Sequence, residues 1–149
     1  MDDIKLIKLN YDKKKLLSIC KNIELIESKH LSNNNEWQYG LLDKDLIIDL
    51  YQQVKDITGS NDIEIRYIVQ KADYAIAEHK DLTHKCAINI ILSDEYGPIV
   101  IDNKKIYYDC ALINTQKNHS VPAFKNDRKI LKLGIRDIGY EEAARTSSI

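Results

Sequence analysis

Two hydrophobic periods divide the chain. Before residue 61 apolar positions recur at helical spacing in two stretches, and from Ile63 onward they recur at every second residue, the period of a strand. Asp12 is placed to cap a helix running to about Ile26, with Leu16, Ile19, Cys20 and Ile23 on one face and the lysines at 13 to 15 solvated. The clearer helix is predicted from Asp43 to about Ile57. Leu46, Ile47, Leu50, Val54 and Ile57 share its buried face, Asp43 supplies the cap and Gly59 lies just past its end. IKLIKL at 4–9 reads as a short edge strand. SKHLSNNNEWQYG at 28–40 has loop composition, which puts His30 in an exposed loop and makes Trp37 and Tyr39 anchors of that loop on the core.

The period-two region contains IEIRYIVQ, DYAIAEH, KCAINIIL, PIVI, KIYYDCALIN and RKILKLGI. Six short strands in succession predict a sandwich or barrel, mainly β with N-terminal helices. The expected organisation is one domain over 1–149, with a helical support region at 1–61, the β core at 62–135 and a C-terminal tail at 136–149 that frays. Both helices should lie on the outside of one of two antiparallel sheets. No helical pattern between 63 and 135 could supply the crossovers of a parallel sheet.

Charge and cysteine content narrow the function. Charged residues make up 30% of the chain but cancel to a net charge of −1, so no global field selects nucleic acid or an anionic membrane surface, and neither partner is expected. No apolar run approaches the ~20 residues of a membrane span, and MDDIKLIKLNYDKKK lacks the basic-then-apolar order of a signal peptide. A cytoplasmic protein is expected. Cys20, Cys86 and Cys110 are odd in number and lack CxxC spacing, so they read as reduced, small hydrophobes rather than as a disulfide or zinc framework.

Chemistry concentrates between Tyr67 and Ile135. His79 and Asp81 stand two apart at the end of a strand, so their side chains leave one face together while Lys80 turns away. His119, far along the chain, supplies a third ligand. Two imidazoles and a carboxylate on one face of a metal, with the opposite positions open, is a ligand set suited to non-haem iron(II). Nine residues beyond His119, Arg128 opens an apolar strand, where a guanidinium needs an anion.

His79-Lys80-Asp81, His119-Ser120-Val121 and Arg128, in that order, resemble the motif of the iron(II)- and 2-oxoglutarate-dependent dioxygenases. The strings CAINIILS and ALINTQKNHSV are most like the aspartyl/asparaginyl hydroxylase-like and small phage or marine-bacterial branches. The likeness covers about residues 62 to 135. It implies a double-stranded β-helix (a jelly-roll, cupin-like barrel), Fe(II) on His79, Asp81 and His119, and 2-oxoglutarate with its far carboxylate on Arg128. The implied reaction is hydroxylation of a C–H in a small-molecule or peptide substrate. Halogenating members lack the carboxylate ligand, and Asp81 is present here.

Asn89 and Tyr67 are further candidates for contact with the cosubstrate, and His84 and Lys85 for groups behind the metal ligands or facing substrate. The interval between Asp81 and His119 is short for this superfamily, so a lid would come from 28–40, from 93–98 or from another subunit. A monomer or homodimer fits equally. The alternative is a cupin-like metal-binding protein without 2-oxoglutarate chemistry, which has no use for a buried Arg128.

Overall fold

A computed structural model describes residues 2–27 and 37–147. The strands are β1 (Ile4–Leu6), β2 (Ile26–Glu27), β3 (Trp37–Leu42), β4 (Ile63–Gln70), β5 (Ile76–His79), β6 (Cys86–Ile91), β7 (Ile99–Ile101), β8 (Lys104–Ile106), β9 (Cys110–Ile113), β10 (His119–Val121) and β11 (Arg128–Ile135). The helices are α1 (Lys13–Cys20), α2 (Ile48–Thr58) and α3 (Tyr140–Thr146). Among the described residues, one sheet has the order β1-β9-β6-β11-β4-β3-β2 and the other β5-β10-β7-β8, with every pairing antiparallel. Two such sheets face to face form the double-stranded β-helix expected from the sequence.

The larger sheet is covered on both sides, which explains why β6 reads as the unbroken apolar run CAINII with every residue buried. Ile65, Tyr67 and Val69 of β4, Ile88 and Ile90 of β6, and Leu131, Leu133 and Ile135 of β11 pack with Leu16 and Cys20 of α1 and Leu50 and Val54 of α2. The other face of the same strands presents Ile68, Ile91 and Ile130 to Ile99, Ile101 and Val121 of the smaller sheet. Each fully buried Ile or Leu contributes about 1.5–3 kcal/mol, so both layers are held chiefly by these side chains. The helices lie outside one of two antiparallel sheets, as expected.

Local chemistry sets the boundaries. The Asp12 carboxylate accepts from the Lys15 amide and starts α1. Asp43 likewise accepts from the Asp45 amide, opening a 3₁₀ turn at Lys44–Ile47 that feeds α2. Gly59 closes α2 at φ +79°, the left-handed conformation that only glycine adopts without penalty. At the β7–β8 hairpin Asp102 and Asn103 both have positive φ, the pair of conformations a two-residue turn needs to match the twist of its strands.

Four expectations need correction. α1 stops at Cys20, well before Ile26, because Ile26 pairs with Tyr39 as a strand. Residues 37–40, read as the end of a loop, belong to β3, whose Trp37 and Leu42 are buried. Stretch 1–61 therefore supplies strands to the larger sheet as well as helices. Between 63 and 135 there are eight strands, because KIYYDCALIN breaks at Tyr107–Asp109 into β8 and β9 and His119–Val121 adds β10. Within the tail, where fraying is expected, α3 forms and buries Tyr140 and Ala143 in the helix-side core. His30 lies outside the described residues. No helix among the described residues is long and apolar enough to cross a membrane.

Candidate metal and anion site

Antiparallel pairing brings the two histidines together. His79, the last residue of β5, is the direct cross-strand partner of His119, the first of β10, and the ring centroids are 4.3 Å apart. Asp81 follows two residues after His79 on a segment tied to the turn before His119. The Asp81 amide donates to the Thr115 carbonyl at 2.9 Å, and Gln116 Nε2 donates to the Asp81 carbonyl at 3.1 Å and to the His84 carbonyl at 2.6 Å. Segments 79–84 and 115–119 are thus fastened to each other, and the three side chains inherit their relative positions from backbone bonds.

Ligand atoms of His79, Asp81 and His119 all lie within 4.8 Å of one another. Asp81 Oδ1 is 3.5 Å from His79 Nε2 and 3.6 Å from His119 Nε2. Each ring has its other nitrogen committed: His79 Nδ1 is 2.7 Å from the Ala77 carbonyl and His119 Nδ1 is 2.8 Å from the Lys117 carbonyl. A carbonyl can only accept, so Nδ1 carries the hydrogen and, in a neutral ring, Nε2 presents a lone pair. Two lone pairs then converge on a carboxylate oxygen. Three acceptors facing one point repel unless a cation lies between them, and an imidazole fixed through Nδ1 to a carbonyl is a common form of metal-ligating histidine.

Lys132 completes this cluster. Its ammonium donates to Asp81 Oδ2 at 2.5 Å, and both side chains are almost buried. Burial alone would raise the Asp81 carboxyl, but the Lys132 ammonium, through its charge and its bond to Oδ2, opposes this, and the group is held below the usual carboxylate range. Asp81 is therefore an anion at any ordinary pH.

A cavity of about 70 Å³ opens between the sheets beside the histidines, lined among others by Trp37, Gln70, Asn89, Arg128 and Lys132. Arg128 is 5% exposed, and its Nη2 donates to the Tyr108 hydroxyl at 2.9 Å. Asn89 Nδ2 donates to the same hydroxyl at 3.3 Å, which leaves the phenolic hydrogen free to donate elsewhere. Four buried polar atoms around this cavity have no partner among the described residues: the donors Trp37 Nε1 and Arg128 Nε, and the acceptors Gln70 Oε1 and Asn89 Oδ1. No carboxylate pairs with Arg128 among the described residues. A buried guanidinium with one neutral partner needs an anion, so a dicarboxylate fits this chemistry.

Other candidates divide. Asn89 faces the cavity, because β6 turns its odd-numbered residues 89 and 91 inward. Tyr67 does not: alternation along β4 sends Ile68 and Gln70 inward and Tyr67 to the helix side, where burial pushes its hydroxyl up to about 12. His84 is a buried support. Its ring lies over Gly134, where an added Cβ would come within 2.5 Å, and Nε2 donates to Glu64 Oε1 at 3.1 Å. Lys85 is exposed. The 93–98 segment is held down by Lys13 on the Ser93 carbonyl, Tyr96 on Asp109 and Asn126 on Glu95.

Sequence reasoning missed three residues. Trp37 was expected to anchor a loop, yet as a β3 residue it lines the cavity and is the cross-strand partner of Gln70. Lys132 could have been found by parity, since it stands four residues after Arg128 on one strand and so shares its face. Tyr108 sits between two strands, where no periodicity signals it.

No protein-family profile matches the chain, and neither does any curated protein sequence. Solved structures do. A Pseudomonas putida prolyl-4-hydroxylase aligns over 91% of this chain and 92% of its own, with TM-score 0.63 and 14% identity. A viral collagen prolyl hydroxylase from Paramecium bursaria Chlorella virus-1, solved as its 2-oxoglutarate complex, aligns over 92% and 97% with TM-score 0.67 and 10% identity. A Trichoplax adhaerens prolyl hydroxylase, in complex with a hypoxia inducible factor peptide fragment, aligns over 95% and 85% with TM-score 0.70 and 12% identity. The chain therefore has the double-stranded β-helix fold seen in 2-oxoglutarate- and Fe(II)-dependent oxygenases. The finer branch, aspartyl/asparaginyl hydroxylase-like, rests on the sequence resemblance alone.

Proposed function

We propose that this protein is an Fe(II)- and 2-oxoglutarate-dependent dioxygenase that hydroxylates an unactivated C–H of a small molecule or peptide side chain. The observation that carries this reading is the placement, at one cavity lined by His79, His119 and Arg128, of three converging acceptors and a buried guanidinium that no carboxylate among the described residues pairs with. The fold shared with 2-oxoglutarate-binding hydroxylases supports it, and the peptide bound to the Trichoplax neighbour supports a peptide as one substrate class. A cupin-like protein without 2-oxoglutarate chemistry has no use for Arg128 at 5% exposure.

His79 Nε2, His119 Nε2 and Asp81 Oδ1 are the atoms that would hold iron, with the Ala77 and Lys117 carbonyls fixing both imidazoles by their Nδ1 hydrogens. Iron, when bound, would couple the oxidative decarboxylation of 2-oxoglutarate by dioxygen, giving succinate and carbon dioxide, to hydroxylation of the substrate C–H. Arg128 and the Tyr108 hydroxyl would bind the far carboxylate, with Trp37 Nε1 a further donor on the same wall. Ile68, Ile99 and Ile130 around them exclude water, which strengthens each of these contacts. Asn89 Oδ1 accepts from a donor, so it would orient a water or a protonated group rather than the carboxylate itself.

Titrating the anaerobic Fe(II)-loaded protein with 2-oxoglutarate tests this directly. A visible metal-to-ligand charge-transfer band that saturates with cosubstrate is expected. Protein that binds Fe(II) but develops no such band overturns the dioxygenase reading in favour of the cupin-like one.

A further inference from the structure

The carboxylate of Asp81 is divided between two roles. Oδ1 is the oxygen nearest both Nε2 atoms, at 3.5 and 3.6 Å, while Oδ2 is taken by the Lys132 ammonium at 2.5 Å. Lys132 reaches it from the inward face of β11, where it stands between Asn89 of β6 and Arg66 of β4 in the register. At 12% and 11% side-chain exposure, each partner has little access to bulk water. Arg66 is not a competitor for Asp81, because its Nε is bound to Glu64 at 2.6 Å.

We infer that Lys132 is a positioning residue that restricts Asp81 to one-oxygen donation and so keeps a metal coordination position free. This deepens the dioxygenase reading and rests on it. Carboxylates donate through one oxygen or two, and a bidentate Asp81 would fill a position that the reaction needs. A six-coordinate metal with three protein donors has three positions left. 2-Oxoglutarate would take two of them and the third would be left open. A short charge-assisted bond to Oδ2 is strong enough to hold that oxygen away from the metal. Lys132 also stands on the cavity wall, so its charge opposes metal binding while favouring an anionic ligand beside it. A residue present only to stabilise Asp81 in the fold would have no bearing on the number of metal-bound waters.

Mn(II) alone is the probe, with bound water counted from the proton relaxivity of the saturated protein. In wild type three waters are expected on the ion, and addition of 2-oxoglutarate should remove two of them. Lys132→Met should bind Mn(II) at least as tightly yet show relaxivity lower by about a third, one water having been displaced by Oδ2. With 2-oxoglutarate added, almost no inner-sphere relaxivity should remain. Lys132→Gln, which keeps a donor within reach of Oδ2, should return the water count towards wild type. Equal relaxivity in wild type and a folded Lys132→Met overturns the inference and leaves the dioxygenase reading intact. A folded Lys132→Met that no longer binds Mn(II) also overturns it, since Lys132 would then build the site rather than set its denticity. Failure of wild type to bind Mn(II) overturns both. If Lys132→Met does not fold, Lys132→Leu, which also lacks a donor, is read in its place: a wild-type water count overturns the inference and a count lower by one supports it, and failure of both to fold makes Lys132 a structural ion-pair partner and overturns the inference.

Discussion

At one end of the cavity Asp81 accepts from Lys132 and faces two imidazoles whose outer nitrogens are already bonded, while at the other end Arg128 has a single neutral phenol and the polar atoms around it lack partners. Both cations come from one strand. Lys132 and Arg128 stand four residues apart on the same face of β11, roughly 13 Å along the strand. The metal end is neutralised by the protein itself, and only its inner point is left for an ion. The anion end is left in deficit, which costs stability until a ligand arrives. A site of this kind holds its metal ligands ready in advance and obtains affinity for the cosubstrate from groups the fold leaves unsatisfied.

The largest break in that contrast is at Asp81. Asp81→Asn removes the anion shared by the metal and Lys132, so Mn(II) binding should be lost and the buried ammonium left without its charge partner. Loss of one member of a buried pair costs on the order of 3 kcal/mol, to be read from urea unfolding of the metal-free protein. An Asp81→Asn variant as stable as wild type would show that Lys132 is not held by Asp81.

Arg128→Met should have the opposite effect on the metal-free protein. It removes a charge that lacks an anion and keeps much of the bulk, so stability should stay level or rise. Affinity for 2-oxoglutarate should fall by on the order of 2–5 kcal/mol, the worth of a charge-assisted contact to a buried partner, with Mn(II) binding unchanged. The titration of the charge-transfer band measures the first and urea unfolding the second. If Arg128→Met destabilises the metal-free protein as much as Asp81→Asn does, the two ends are equally structural and the contrast fails.

How much of this the sequence disclosed follows from periodicity. His79 and Asp81 were legible because they share a face at a strand end, and Arg128 because a charge opening an apolar strand is conspicuous. Asn89 stood out as an amide interrupting an apolar run; the parity rule sends it and Lys132 inward and Tyr67 to the helix side, but it was applied to none of the three. β3 escaped notice because a run rich in Asn and Ser precedes it, and Gly40 interrupts WQYGLL; its membership of the sheet comes from pairing with β4 across a long sequence gap. α3 escaped for a similar reason: a seven-residue helix with few apolar residues gains its stability from burying Tyr140 and Ala143 rather than from propensity.

The smallest expected effect lies behind the metal end, in the support under His84. Glu64 Oε1 accepts from Arg66 Nε at 2.6 Å and His84 Nε2 at 3.1 Å, and Oε2 accepts from Arg136 Nη2 at 3.1 Å. Burial raises the Glu64 carboxyl, but the Arg66 bond and charge, with Arg136 and His84, outweigh it and leave the group below its ordinary value. A carboxyl depressed in the folded state contributes stability that is present above the unfolded value of about 4.3 and is lost as pH falls through the folded one. Glu64→Gln lacks this contribution at every pH. The stability gap between wild type and Glu64→Gln, read from urea midpoints, should therefore be widest near neutrality and close below about pH 4. His84, lowered by burial and by the nearby Lys132 and Arg66 charges, is raised by the Glu64 charge, so the difference between the two proteins reads Glu64 together with its effect on His84. A gap that stays constant down to pH 3 would mean that Glu64 supports His84 by its shape and hydrogen bonds alone, with no part played by its charge.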